Sequence, residues 1–446
     1  MSEAILNQLA RHLVDLTLCK SRYDLTDVQW YTEGPFWRRT NMKFSRQYKI
    51  LPDYEIGDKK HGRTLEGIRE EAEFLGNILT EYEKTAKAQE MQRAAYLRSH
   101  AESLLVRTRM LLGESFSFNE MTQGLYNLTA PAGYQCNQFD TVLEELCQAL
   151  PGEGSAQERA DAFRKRICIP KDRLLAVLTA VTECFHVFSM QNMHITGNSS
   201  PRLRVRSLPD SDMAFISILF GYDYDHIQYE RNFNLAYPWT VDNVLEYTGH
   251  EMEPGHLTYY EKRLQTMIDT GWPEMGIVSL YSPSSAFTEG SARYAAELCF
   301  AGSTERKKEF IRELILKPAG MDEGLAEIMP LWQKFVQMKG YAALEVSRKI
   351  WDGQWTYEEG LHFMQHYGFA ENGQTVTAIE MLMADPGHYV CHDYARDVTE
   401  AYFRSASKST GEQWELYEKL CCSHMSMEEI KEKSFQPAEL PGKGFF

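Results

Sequence analysis

Two histidines, a glutamate directly after the first and a proline–glycine pair just before the second make one stretch of this sequence fit for chemistry. It reads Tyr247-Thr248-Gly249-His250-Glu251-Met252-Glu253-Pro254-Gly255-His256-Leu257. Neutral imidazoles bind divalent metals, and a carboxylate beside one of them is placed to take a proton from a metal-activated water. When two such histidines lie four apart on one helix, both rings leave the same face and reach one zinc, with the intervening Glu as general base. Here His250 and His256 are six apart. At 3.6 residues per turn, six steps rotate the chain by roughly 600°, which carries His256 well round from His250 on an ideal helix.

Pro254 and Gly255 supply a remedy. Proline removes a helical N–H and clashes with the carbonyl four residues back, at His250, while glycine tolerates unusual backbone angles. A kink or bulge that absorbs two residues would return His256 to the position of the second ligand. A catalytic metal also needs a third protein ligand and an open position for water. Glu289, in Phe287-Thr288-Glu289-Gly290-Ser291-Ala292-Arg293, lies 33 residues beyond His256, far enough for a helix to end, turn at Trp272-Pro273 and return. Gly290, Ser291, Ala292, Ala295 and Ala296 are small enough to let that returning helix approach closely. Arg293, one turn on, either orients the Glu289 carboxylate or makes a surface ion pair.

The elements that carry these residues are mostly helical. Apolar residues recur at helical spacing in Leu65-Ile68-Ala72-Leu75-Ile78-Leu79 and Leu104-Val106-Met110-Leu112. Turn signals fall at Leu51-Pro52-Asp53, Ala130-Pro131 and Leu150-Pro151-Gly152. The pattern alternates strictly in Arg202-Leu-Arg-Val-Arg-Ser-Leu208, as a strand does, with its arginines read as solvated. Further strands are expected at Phe215–Phe220 and Arg231–Tyr237. A helix beginning near Thr240 then carries His250 and Glu251, and a second runs from about Ser285 to Cys299. The fold expected is mainly α: a large helical array with a small β-sheet beside the metal-binding helix. It divides into an N-terminal helical region, 1–195, and a metal-binding catalytic region, 196–446, fused into one body.

Composition narrows the function classes. The 446 residues carry a formal net charge of −16, which argues against nucleic acid and anionic membrane surfaces, since both select clustered Lys and Arg. The N-terminal run Ile5, Leu6, Leu9, Leu13, Leu16 is amphipathic and interrupted by charges, so it is neither a signal peptide nor a membrane span, and no other stretch is read as one. Nine cysteines without a CxxC pair read as reduced thiols. The expected location is the cytoplasm.

The pair His-Glu-x-x-Pro-Gly-His and Glu-Gly-x-Ala resembles a large bacterial family, domain-of-unknown-function family 885. Its members are metallopeptidase-like, with the pattern HExxPGHH followed by EGWAxY, within the wider glutamate-zincin metallopeptidases. The similarity extends more weakly from about residue 100 to 405. It implies an oligopeptidase-like helical architecture with His250, His256 and Glu289 as ligands of one zinc ion and Glu251 as general base. Leu257 stands where the family has a second consecutive histidine, and Ser291 replaces its tryptophan. The family also has a late Pro-Gly segment followed by a tyrosine that would polarise a substrate carbonyl. Here it reads Pro386-Gly-His-Tyr-Val-Cys-His-Asp-Tyr394. Without a gap His392 takes that role; with a two-residue shift Tyr394 does. His388 and His392, four apart, are read as supporting or packing residues in preference to a second metal pair.

The function expected is a zinc-dependent metallohydrolase, a peptidase acting on a small peptide or amide substrate. The alternatives are a non-haem iron oxidoreductase using the same two-His-one-Glu set, or a catalytically silent binding protein on a peptidase scaffold.

Overall fold

A computed structural model describes residues 2–21, 23–24, 63–150, 152–193, 199–206, 215–223, 226–366 and 385–434. The turn expected at Leu51 and the tail after Gln436 lie outside these residues. The chain is mainly helical. The helices α1 (Ser2–Lys20), α2 (Leu65–Glu83) and α3 (Ala88–Leu111) come first. Ile68, Ala72, Leu75 and Leu79 form one apolar face of α2, and with Leu6, Leu13, Leu97 and Leu104 they build a core of their own. Next come α4 (Phe118–Tyr126), α5 (Phe139–Ala149), α6 (Ala156–Arg166) and α7 (Lys171–Asn192). Ser117 and Ser155 start α4 and α6 through reciprocal capping boxes with Glu120 and Glu158.

The sheet follows, with β1 (Ser199–Arg206), β2 (Phe215–Asp223) and β3 (His226–Asn234) in the order β1-β3-β2. β3 pairs parallel with β1 and antiparallel with β2. The third strand thus begins and ends earlier than the Arg231–Tyr237 expected. Residues 235–237 turn away from it, with the Asn234 side chain accepting from the Ala236 N–H at 3.0 Å.

The helices α8 (Val241–Glu251), α9 (His256–Thr270) and α10 (Pro283–Leu298) carry the motif. Behind them lie α11 (Thr304–Ile311), α12 (Met329–Trp351) and α13 (Tyr357–His366). A π-helical segment, Val390–Tyr394, runs into α14 (Ala395–Ala406), followed by α15 (Thr410–Cys421) and α16 (Met427–Ser434). The main core runs from Phe118 to Ile430 and holds Tyr126, Phe185, Trp239, Tyr259, Phe335, Tyr341 and Tyr417. From the sequence, no stretch is expected to be long and apolar enough to cross a bilayer. Leu174–Asn192 in α7 meets that test by length and composition. It is a core helix on one side, burying Val177, Val181 and Phe185.

α10 is the axis of the body, buried along nearly its whole length. Two glycines set its distance to its neighbours. A Cβ at Gly249 of α8 would lie 2.6 Å from the Ala296 Cβ, and one at Gly290 would lie 2.6 Å from the Ala395 carbonyl carbon of α14. The small residues of α10 thus serve two partners, Ala296 facing α8 and Gly290 facing α14.

The first turn of α10 is also tied to the N-terminal helices. Tyr96 OH and His100 Nε2 of α3 each lie 2.7 Å from Ser284 Oγ. Arg263 of α9 donates to Tyr96 OH at 2.7 Å. Beside them Arg93 makes a two-pronged pair with Glu274, at 2.6 and 3.1 Å, and His424 Nε2 lies 3.0 Å from the same carboxylate. Burial opposes the charge on Glu274, but the hydrogen bonds from His424 and Arg93 outweigh it and lower its pKa from the ordinary 4.5 to about 2.

A carboxylate depressed in this way stabilises the fold above its unfolded pKa and loses that contribution as pH falls through the folded value. Glu274→Gln should therefore make stability less dependent on pH between about 4.5 and 2. It should also cost roughly 3–5 kcal/mol near neutrality by leaving Arg93 buried without its counter-charge. Denaturant unfolding followed across that pH range checks both; an unaltered acid slope would contradict the assignment.

Candidate metal centre

The chain between the two motif histidines leaves the helix. α8 ends at Glu251, Met252 to Gly255 form a turn, and α9 begins at His256. This corrects the expectation of a single kinked helix. The hydrogen bonds record how the spacing is absorbed: Gly255 N–H donates to Gly249 O, six residues back, at 2.9 Å, and Leu257 N–H donates to Met252 O, five back, at 3.2 Å. A helix would bond four back, so the first of these bonds takes up two extra residues, the number the helical arithmetic requires.

Gly255 is the residue that makes the turn possible. A Cβ there would stand 2.1 Å from His250 O and 2.5 Å from Gly249 O. The close approach to the His250 carbonyl is thus made by Gly255; the Glu253–Pro254 peptide is cis. Two distant elements hold the turn. Tyr417 OH of α15 donates to Pro254 O at 2.8 Å, and His186 Nδ1 of α7 hydrogen-bonds Glu253 Oε2 at 2.7 Å. The bond to Glu253 raises the His186 pKa despite partial burial, whereas burial raises that of Glu253 against the pull of His186.

The result is convergence on one oxygen. Glu289 Oε2 lies 3.1 Å from His250 Nε2, 3.2 Å from His256 Nε2 and 3.0 Å from His392 Nε2. His250 and His256 cross edge to face at 4.4 Å, and Tyr260 lies parallel to the His256 ring at 5.4 Å, one turn along α9. His250, Glu289 and His392 offer ligand atoms all within 4.8 Å of one another, a spacing that could hold a metal ion; His256, which meets Glu289 at 3.2 Å, stands outside that mutual group. Glu251 is buried beside His250.

The electrostatics differ between the rings: burial opposes charge on His392 too, but Glu289 outweighs it and raises the His392 pKa. Burial, then the neighbouring His256, lowers the His250 pKa to about 4, which keeps the ring in the neutral form that ligates metal. Burial works against the charge on Glu289, but His256 and His392 outweigh it and hold the carboxyl well below its usual range. A carboxylate oxygen offers about two lone-pair directions. Three imidazole nitrogens at 3.0–3.2 Å around one such oxygen exceed them. Direct ligands of one zinc at about 2.1 Å in a tetrahedron would stand roughly 3.4 Å apart, close to the three separations from Glu289, whereas His256 is not within 4.8 Å of all the other ligand atoms. The residues fit a metal ion.

His392 and Tyr394, the two alternatives for the late segment, go to different places. His392 points into the cluster, and its Nδ1 bonds His388 O at 2.8 Å. Tyr394 packs edge-on against Tyr134 at 4.9 Å, with Lys431 Nζ 5.6 Å from its ring. His388 stacks on His392 at 3.8 Å, the supporting position read for it. Of the two roles expected of it, Arg293 takes the ion pair, in a half-buried setting, and does not orient Glu289. Its guanidinium donates to Asp393 Oδ1 at 2.9 Å and pairs with Glu246 at 3.3 Å. Asp393 follows His392 within the π-helical turn, so Arg293 fastens that turn to α10. Sequence reasoning missed the convergence of His392 on the carboxylate. The available signal was the i, i+4 pair His388/His392.

No family model and no curated protein matches the chain. Among solved structures, a candidate lipoprotein from Colwellia psychrerythraea is similar at 15% identity with a TM-score of 0.50, over 83% of this chain and 69% of that one. Another, of unknown function from Shewanella oneidensis, is 14% identical with a TM-score of 0.46, over 83% of this chain and 73% of its own. The first likeness is one of fold.

The turn yields a direct test. Gly255→Ala puts a methyl against two backbone carbonyls and should destabilise the protein by more than about 2 kcal/mol while separating His256 from Glu289. Denaturant unfolding and zinc titration check this, and wild-type stability with wild-type zinc affinity would refute it.

Proposed function

We propose that the chain is a zinc-dependent metallohydrolase of the kind its motif resembles, a peptidase acting on short peptides or related amides. One observation carries the reading: the convergence of the buried His250 and His256 and the half-buried His392 on Glu289, with Glu251 directly after the first of them. His250, His256 and Glu289 would hold the ion. A bound zinc supplies Lewis acidity and lowers the pKa of a coordinated water into the neutral range.

The chain's own residues would do the rest. Glu251 accepts the proton of the attacking water and returns it to the leaving nitrogen. Glu289 remains ionised because a bound cation would favour its charged form, as the surrounding histidines do without one. His250 remains neutral because of its burial. The net charge of −16 disfavours strongly acidic substrates. Nucleic acid and membrane lipid are not among the substrates proposed.

Nine free thiols suit a reducing compartment such as the cytoplasm. The lipoprotein description of the Colwellia protein suits the cell envelope instead. Cell fractionation decides between them, and the enzymatic reading holds in either.

The test pairs metal analysis of the purified chain with peptide-library cleavage by wild type and Glu251→Gln. The expected result is one zinc per chain in both proteins, with kcat lower by about 10²–10⁴-fold in the variant. Iron with oxygen consumption would replace the reading by an oxidoreductase on the same ligands. A metal-free, inactive wild type would leave a binding protein.

A further inference from the structure

We infer that His392 is a fourth protein ligand of the metal, making the centre three histidines and one carboxylate. This rests on the metal reading above and goes beyond the role its resemblance implies, a hydrogen-bond donor to the substrate.

Three observations support it. First, its Nε2 lies 3.0 Å from Glu289 Oε2, nearer than either motif histidine. A substrate-facing donor would be directed past the ligands, whereas this ring addresses the carboxylate they share. Second, the ring is held as metal-binding histidines are. A ligating imidazole normally gives its other N–H to a fixed acceptor, which sets the tautomer and orients the lone pair. His392 Nδ1 has such an acceptor in His388 O at 2.8 Å, and the ring is stacked on His388 at 3.8 Å. Nδ1 of His250 and Nδ1 of His256 are buried without a hydrogen-bond partner. By this criterion His392 is the best supported of the three.

Third, the element that carries it is shaped for the purpose. Val390–Tyr394 is π-helical, and its wider turn changes which side chains face inward relative to an α-helix; such turns occur often at functional sites. The turn is anchored on both sides. Arg293 of α10 bonds Asp393 at 2.9 Å, and Gly340 of α12 leaves room for the same carboxylate, since a Cβ there would lie 2.6 Å from Asp393 Oδ1. The arrangement fixes His392 from α10, the helix that also carries Glu289.

The consequence is chemical. Four protein ligands fill a tetrahedral zinc, so water enters only by expansion to five ligands or by release of one of the four.

The test needs no substrate. X-ray absorption at the zinc edge of the loaded full-length protein should count three imidazoles; a count of two overturns the inference. Cobalt(II) titration of wild type, His392→Ala, His392→Gln and Tyr394→Phe gives an independent readout, with far-UV circular dichroism to check folding. Both His392 variants should bind cobalt more than about tenfold more weakly and alter the visible ligand-field band, whereas Tyr394→Phe should leave both unchanged. Folded His392 variants with wild-type affinity and band would overturn the fourth ligand and leave the proposed hydrolase standing. A wild type that binds neither metal would overturn both.

Discussion

A single carboxylate oxygen, buried in the middle of α10, is asked to neighbour three imidazole nitrogens at once. One carboxylate oxygen offers about two lone-pair directions, fewer than three imidazoles would use, and Glu289 is buried. A divalent cation would relieve the crowding, because the imidazoles could then ligate one shared charge. The architecture around Glu289 follows from the need to bring these groups together. α8 and α14 approach α10 at positions where glycine allows it, Gly249 and Gly290; His250 lies in α8 and His392 in the π-helical turn that leads into α14.

The same economy governs the break between α8 and α9. Two histidines on a continuous helix at this spacing would diverge, and the chain answers by omitting helical geometry for four residues, 252–255. The carbonyls freed at the end of α8 are used within the turn, Gly249 O taking the Gly255 N–H. Burying a turn ordinarily strands polar groups. Here bonds from α7 and α15 reach in to Pro254 O and to one oxygen of Glu253, leaving Glu253 Oε1 buried without a hydrogen bond. The site thus depends on residues far from it in sequence, and the Ser284–Tyr96–His100 cluster extends that dependence to the N-terminal helices.

Much of this was legible where cause and effect are local. Helical periodicity marked the mainly α fold and the helix that bears Glu289, and counting residues per turn showed that Pro254–Gly255 had to interrupt the chain. What the interruption would be was not legible: a kink and a four-residue turn both absorb two positions, and the choice rests on Tyr417, over 150 residues away. The inward turn of His392 was hidden for a related reason. A π-helical turn differs from an α-helix by a single residue of winding, which leaves no mark in apolar spacing. Arg293 misled because its partner, Asp393, lies 100 positions on. The parallel pairing of β1 with β3 was equally out of reach, as alternation marks strands but not their neighbours.

The central claim is that these four side chains surround one metal ion. The most direct measurement is anomalous diffraction from crystals of the full chain, grown without chelator and recorded on either side of the zinc edge. The account predicts one strong peak bounded by Nε2 of His250, His256 and His392 and by the Glu289 carboxylate. Fully loaded zinc elsewhere in the molecule, with this cluster closed by hydrogen bonds alone, would contradict it.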